Sequence, residues 1–346
     1  MFSNALFEKF CNERNIKEST AKSYESSLKS YVRFHDLSID ELMDEARVDE
    51  ELEIPLKDRR IKKRLLEYRN FLFKSKNTPN TIKTYFTKIK TFYSHFEIEI
   101  PNLPDARYDT EYEINYLDLP TKDHIRQVLD IVSIDFKSII LFMSSSGTAR
   151  AEALSLTVGQ FVDATSDSHH GGSLNSILDE LSRKNDVIPT FYLRRIKTDK
   201  FYYTFCTPEA TKYIVKYLKT RKNLTLEDKL FNFTSSALLT KFQEVNDIMG
   251  WGFKGKYRFF RSHTLRKFHA SNIGLSAEYV DALQGRSKSE VHETYIKTNP
   301  EKLKAIYASA MKNVMVNYAS EEEKINNQEF TIVINIFLAG KEYNII

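Results

Sequence analysis

The stretch LQGRSKSEVHETYIK, residues 283–297, decides how the rest of the chain is read. A leucine and a glycine turn lead through Arg286 into a polar run, and Tyr295 stands nine residues beyond that arginine. Charge flanks Tyr295, instead of the apolar periodicity that marks a core aromatic. One tyrosine among 19 gains meaning only from its company upstream. That company follows structural breaks in order: Arg150 and Glu152 in TARAEALSLT after SSSG, Lys197 in RRIKTDK, and His263 and Arg266 in RSHTLRKFHA.

These residue types suit one task. A phosphodiester under attack spreads charge over its non-bridging oxygens, and guanidinium forks bind such oxygens bidentately. A lysine on a turn can protonate a leaving 5′ oxygen, a histidine can take the proton of the nucleophile, and a tyrosine can be that nucleophile. Such chemistry needs neither nucleotide nor metal, so no cofactor is expected. Lys200 shares the turn with Lys197, and Arg194 and Arg195 adjoin it, so the lysine assignment has neighbours that compete with it.

At these residues the sequence resembles the tyrosine recombinase (phage integrase) family. HTLRKFHA looks like the family's His-x-x-Arg helix, LQGR like its Leu-x-Gly-His turn, RRIKTDK like its lysine hairpin and ARAEALSLT like its first-arginine helix. Each motif alone is common, but five in this order with the nine-residue spacing to Tyr295 are specific. The resemblance covers about residues 1–318 and implies Arg150, Lys197, His263, Arg266, Arg286 and Tyr295 as catalytic residues. It also implies a C-shaped clamp on double-stranded DNA attachment sites, cleavage through a 3′-phosphotyrosyl intermediate, and a homo-tetramer exchanging strands through a Holliday junction. Two departures stand out: Gly147 precedes Arg150 by three residues where the family has two, and Arg286 replaces the usual histidine or tryptophan. Arginine at that place, and PEKLKAIYASAMKNV after the tyrosine, resemble the archaeal and archaeal-virus integrases.

The bulk composition agrees with a soluble DNA-acting protein. The chain has 346 residues, 41% hydrophobic and 28% charged, enough for two cores. No run approaches the roughly 20 apolar residues that span a bilayer, and the charged start does not resemble a signal peptide, so a cytoplasmic location is expected. Cys11 and Cys206 lack any partner pattern, and His169 and His170 lack companion ligands, which argues against disulfide and zinc sites. Net charge is +4, but residues 57–90 hold twelve Lys or Arg against two acids, and residues 183–267 hold nineteen against seven. Two such tracts suit an extended polyanion.

The fold expected is mainly α with a small β-hairpin: a helical DNA-binding domain over 1–104, a linker over 105–120, a mixed α/β catalytic domain over 121–318 and a tail over 319–346. STAKSYESSLKSYVRFH (19–35) aligns without gaps to NTIKTYFTKIKTFYSHF (80–96), predicting two amphipathic helices with Ser or Asn caps. Their Thr20, Lys22, Lys29, Thr81, Lys83 and Lys90 are the candidate DNA contacts. Residues 36–53, nine acids against Arg47, read as a solvated connection. Residues 165–185 read as a loop insertion, and VIPTFYLRRIKTDKFYYTFCT as strand, turn, strand. EFTIVINIFLAGKEYNII at the end alternates with β period and is expected to pair with a sheet edge in the same or a neighbouring protomer. The competing functional readings are a type IB topoisomerase and a DNA-binding protein without catalysis.

Overall fold

Helix α2 (Glu18–His35) lies against α5 (Pro79–His95), so the two repeated segments are neighbours in space. Their matched positions do the same work: Leu28 and Ile89 are buried, as are Tyr31 and Phe92. The computed structural model describes residues 5–75, 77–105, 114–286 and 299–316. The chain divides into two units, residues 1–112 and 113–346.

The first unit adds α1 (Ala5–Glu13), α3 (Ile39–Glu51) and α4 (Arg60–Lys74) to that pair. Its core is aromatic. Phe10 meets Tyr24 edge-on and Phe92 at a tilt, with ring centroids 4.9 and 5.1 Å away, and Tyr31 meets Tyr68 edge-on at 4.9 Å. The caps differ from expectation. Helix α2 starts at Glu18 behind Lys17 with no side-chain cap, and α5 starts at Pro79, where Thr78 accepts from the Thr81 amide. Proline at the first helical position gives up no hydrogen bond there, which moves the start two residues upstream of the predicted Thr81.

The acidic segment is a helix and not a solvated connection. Ser38 and Glu41 form a capping box, and Ile39, Leu42, Met43 and Ala46 recur at helical spacing and are buried. Its acids turn toward α4: Glu45 pairs with Arg64 and Asp49 with Arg60, both at 2.8 Å, and Glu50 pairs with Arg59 at 2.9 Å.

The second unit is built around α7 (Ile134–Ser146), buried from Ser138 to its end and packed against α11 (Pro208–Thr220) and α13 (Ser262–Asn272). Before it comes α6 (Lys122–Ile131), with Thr121 capping its first turn. After α7 come α8 (Arg150–Ser155) and α9 (Val158–Ala164). The region read as a loop insertion holds α10 (Leu174–Ser182), capped by Ser173 and buried at Ile177, Leu178 and Leu181. Gly171 and Gly172 dominate the local composition, but one apolar face is enough for a short helix that has α11 to lie on.

Strands β1 (Thr190–Arg194) and β2 (Phe201–Phe205) form the expected antiparallel hairpin, with Arg194 opposite Phe201. Phe191 and Leu193 face the core while Tyr192 and Arg194 face solvent. Helix α12 (Ser235–Ile248) follows, then a second hairpin of β3 (Phe253–Lys254) and β4 (Tyr257–Arg258). Helix α14 (Ala277–Leu283) packs on β2, and α15 (Pro300–Ala310) returns to the core, where buried Tyr307 donates to the Ser145 carbonyl at 3.0 Å. No helix among the described residues is long and apolar enough to cross a membrane. Residues 287–298, which carry Tyr295, and the expected C-terminal strand lie outside the described residues.

Candidate active site and nucleic-acid interface

Two helices of the second unit end in left-handed glycines, and one buried arginine joins their ends. Gly147 closes α7 at φ 65°, its amide returning to the Met143 carbonyl. Gly285 closes α14 at φ 58°, with its own amide bonded to Ala282 O and that of Arg286 bonded to Asp281 O, the paired bonds of a Schellman cap. A side chain at either glycine would also collide with a neighbour: a Cβ on Gly285 would lie 2.5 Å from the Tyr202 ring, and one on Gly147 would lie 2.6 Å from His269 Nδ1. The glycine of LQGR is thus required twice, by backbone conformation and by space.

Arg266, 7% exposed on α13, donates from Nη1 to Gly147 O at 2.6 Å and from Nη2 to Gln284 O at 2.7 Å. The carbonyl ends of both helices therefore face this cation, the favourable sign for helix C-termini. Among the described residues these two bonds use two of its five N–H donors, and three remain for a ligand. Burial, and then the neighbouring Arg195 charge, lower the Arg266 pKa to about 10, so the group stays charged near neutral pH.

Gln284 is the hinge of this arrangement. Its side-chain amide donates to Arg266 O at 3.1 Å and approaches His269 Nδ1 at 3.0 Å. That contact makes Nδ1 the acceptor and leaves the ring proton on Nε2. His269 is fully buried, and burial followed by the charges of Arg266 and Arg286 drops its pKa to about 3. It is a neutral strut. Tyr202 is a packing group of the same kind: burial, then the Glu152 carboxylate, raises its pKa well above the ordinary tyrosine value.

His263 sits in the first turn of α13, on the exposed side of Arg266. Partial burial and the charges of Arg261, Lys267, Arg266 and Arg286 lower its pKa, leaving a neutral imidazole able to accept a proton. Arg286 is exposed and pairs with Asp281 at 3.3 Å. Arg150 is the first residue of α8, three past Gly147, and Glu152 accepts from the Ala149 amide at 2.9 Å to start that helix. The first-arginine helix thus begins at the arginine itself. Lys197 projects into solvent at the tip of the β1–β2 turn. The charges of Arg266 and Arg286 act on His263, and Gly147, whose carbonyl Arg266 holds, stands three residues before Arg150. Tyr295 lies outside the described residues. Among the described residues no set of three or more His, Cys, Asp or Glu is placed to hold a metal ion.

In the first unit, Thr20, Lys22, Lys29 and Lys83 are exposed. Lys22 pairs with Glu18 and Lys29 with Glu25, surface pairs worth little against a polyanion. Thr81 and Lys90 are partly covered: the Thr81 hydroxyl bonds that of Thr78 at 2.7 Å, and the Lys90 ammonium lies 5.2 Å from the Phe86 ring centre. A cavity of about 840 Å³ opens between α2, α4 and α5, lined by Lys22, Lys29, Arg33, Phe34, Phe71 and Tyr85 among others.

No protein-family model matches the sequence, and no curated protein does. Solved structures do match. A fragment of lambda integrase, a dimer bound to a COC′ core site, has a TM-score of 0.55 at 15% identity over 85% of this chain and 96% of that one. A lambda integrase tetramer bound to a Holliday junction scores 0.53 at 14% identity over 85% and 78%. This chain has the tyrosine recombinase fold. The Tn1549 transposon integrase in complex with transposon right end DNA shares that fold, with a TM-score of 0.50 at 13% identity over 87% of this chain and 96% of that one. Identities this low leave the chemistry to be argued from the site. Motifs in the sequence point to the arginines and His263 but not to His269 and Gln284, whose contacts depend on packing between helices distant in sequence.

Proposed function

We propose that this protein is a site-specific DNA recombinase that cuts and rejoins strands through Tyr295. The observation that carries the reading is Arg266 bonded to both glycine turns, with its charge and that of Arg286 acting on His263, within a tyrosine recombinase fold. Arg150, Arg266 and Arg286 bind the scissile phosphate and neutralise the charge that grows on its non-bridging oxygens. His263 accepts the Tyr295 proton as the phenolate oxygen bonds to phosphorus, and Lys197 gives a proton to the 5′ oxygen as its bond to phosphorus breaks. The product is a 3′-phosphotyrosyl linkage, reversed by attack of another 5′ hydroxyl, which conserves the bond energy without a cofactor. The cations on α2 and α5 meet the phosphates of duplex attachment sites, and four protomers act together on two sites through a Holliday junction.

The test is covalent capture. Nicked duplexes carrying candidate attachment sites, incubated with wild-type protein, should yield a protein–DNA adduct that survives denaturation, and Tyr295→Phe should yield none. Tight DNA binding with no adduct at any site would leave a DNA-binding protein without catalysis. Relaxation of supercoiled DNA without strand exchange would instead indicate a type IB topoisomerase.

A further inference from the structure

The β1–β2 hairpin delivers a second guanidinium to the Gln284 carbonyl. Alternation along β1 turns Phe191 and Leu193 inward, and Arg195 continues that inward row while Arg194 faces out to Asp199 at 2.8 Å. Backbone bonds fix the place of Arg195: its amide donates to Lys200 O, and its carbonyl accepts from the Asp199 amide, both at 2.7 Å. Its Nη1 donates to Gln284 O at 2.8 Å, the same oxygen that Arg266 Nη2 holds at 2.7 Å. Arg195 Nε is buried and finds no acceptor among the described residues.

Two guanidinium groups on one carbonyl repel each other, and a neutral carbonyl oxygen does not cancel that repulsion. The charges facing this spot deepen the imbalance. The charges of Arg261, Lys267, Arg266 and Arg286 act on His263, and those of Arg195 and Arg286 act on Arg266. Among the described residues, Asp281 pairs with Arg286, and Glu152, whose charge acts on Arg266, caps α8. A buried N–H donor without an acceptor, set within a cation excess, keeps a pairing that an anionic oxygen would complete.

We propose that Arg195 and Arg266 together bind one phosphate group, with the Gln284 carbonyl holding both forks in register. This deepens the recombinase reading and rests on it only for the identity of the phosphate, the scissile group of DNA. The role differs from that of Lys197, since an arginine neutralises charge but cannot give up its proton near neutral pH. It gives the hairpin two tasks: a fixed anion contact at its base and a proton donor at its exposed tip.

The experiment is a titration of the full chain with inorganic phosphate, followed by ³¹P line broadening, for wild type, Arg195→Gln and Arg194→Gln. Glutamine can still donate to the Gln284 carbonyl, and Trp251 fluorescence reports whether the second unit stays folded. Arg195→Gln should weaken phosphate binding about tenfold or more, the size of a lost charge-assisted contact. Arg194→Gln should leave it unchanged. Equal binding by wild type and Arg195→Gln, or no phosphate binding by wild type, overturns the proposal. Covalent capture separates it from the recombinase reading. Phosphate binding lost in Arg195→Gln, with no adduct from wild type on any duplex, sinks the recombinase and not the pocket, whereas undiminished adduct formation by Arg195→Gln sinks the pocket alone. A methylphosphonate at the scissile position, which removes the charge, should shrink the Arg195→Gln defect. A defect of equal size on both substrates would make Arg195 a structural strut and refute the assignment.

Discussion

Acidification should loosen the second unit through His269. The folded-state pKa is about 3, against about 6.5 for an unhindered histidine, so protons bind the unfolded chain first. The contribution of His269 to stability is therefore complete above about pH 6.5 and is lost progressively as the pH falls toward 3. Between pH 7.5 and pH 5.0 this amounts to about 2 kcal/mol from the one side chain. The assay is urea unfolding followed by Trp251, the only tryptophan, which packs against Phe259 and Phe260 of the second unit. The comparison is His269→Asn, whose side-chain oxygen takes the place of Nδ1 as acceptor for Gln284 but does not titrate. The variant is expected to be less stable at both pH values, because it fills less space. Its loss between pH 7.5 and 5.0 should nevertheless be smaller than that of wild type by about 2 kcal/mol. His124 and His263, also depressed, titrate in both proteins and cancel in the difference. Losses that agree within about 0.5 kcal/mol would show that His269 does not titrate as a buried neutral group, and the account of Gln284 would fall with it.

Gly285→Ala should destabilise the second unit by about 2–4 kcal/mol, combining left-handed strain with overlap on Tyr202. Urea unfolding should show a smaller increment in a Tyr202→Leu background, and equal increments would mean the ring is not the obstacle. Asp49→Ala should cost the first unit about 2–3 kcal/mol, because the buried carboxylate holds Arg60 by Nε at 2.8 Å and by its amide at 2.6 Å. Hydrogen exchange over α3 and α4 should rise together; an unchanged α4 would count against a shared clasp. Arg286→Ala should slow adduct formation about a hundredfold while duplex affinity stays nearly constant, since one turn residue adds little to a broad phosphate footprint. Unchanged adduct formation would reduce Arg286 to a cap residue.

The hairpin and the buried helix α7 are legible because their patterns are local: β-rich TFYLR and FYYTF around a polar turn, and the apolar run IILFM followed by three serines and Gly147. Helix α3 was hidden by its own charge. Nine acids suggested solvent, although Ile39, Leu42, Met43 and Ala46 carry a helical period through them. In 165–185 the glycines and serines outweighed the spacing of Ile177, Leu178 and Leu181. At the site, motifs gave Arg266 and His263 by type and order. The reason Arg266 is held, two carbonyls at helix ends more than a hundred residues apart, exists only after folding. Arg195 stood in the sequence as one of several cations beside Lys197, and only the inward alternation of β1 separates it from Arg194.

The clasp between α3 and α4 has a thermodynamic consequence for the basic tract over 57–90. Of its twelve cations, Arg59, Arg60 and Arg64 already face Glu50, Asp49 and Glu45. A protein that covers DNA phosphates expels the small cations condensed on them, one for nearly each charge it brings unpaired, and the steepness of binding against salt counts these. Guanidinium groups already matched within the fold contribute little to that count. Helix α3 thus behaves as a covalently attached counterion, and under the proposed function it lowers the number of ions that duplex binding by the first unit would release.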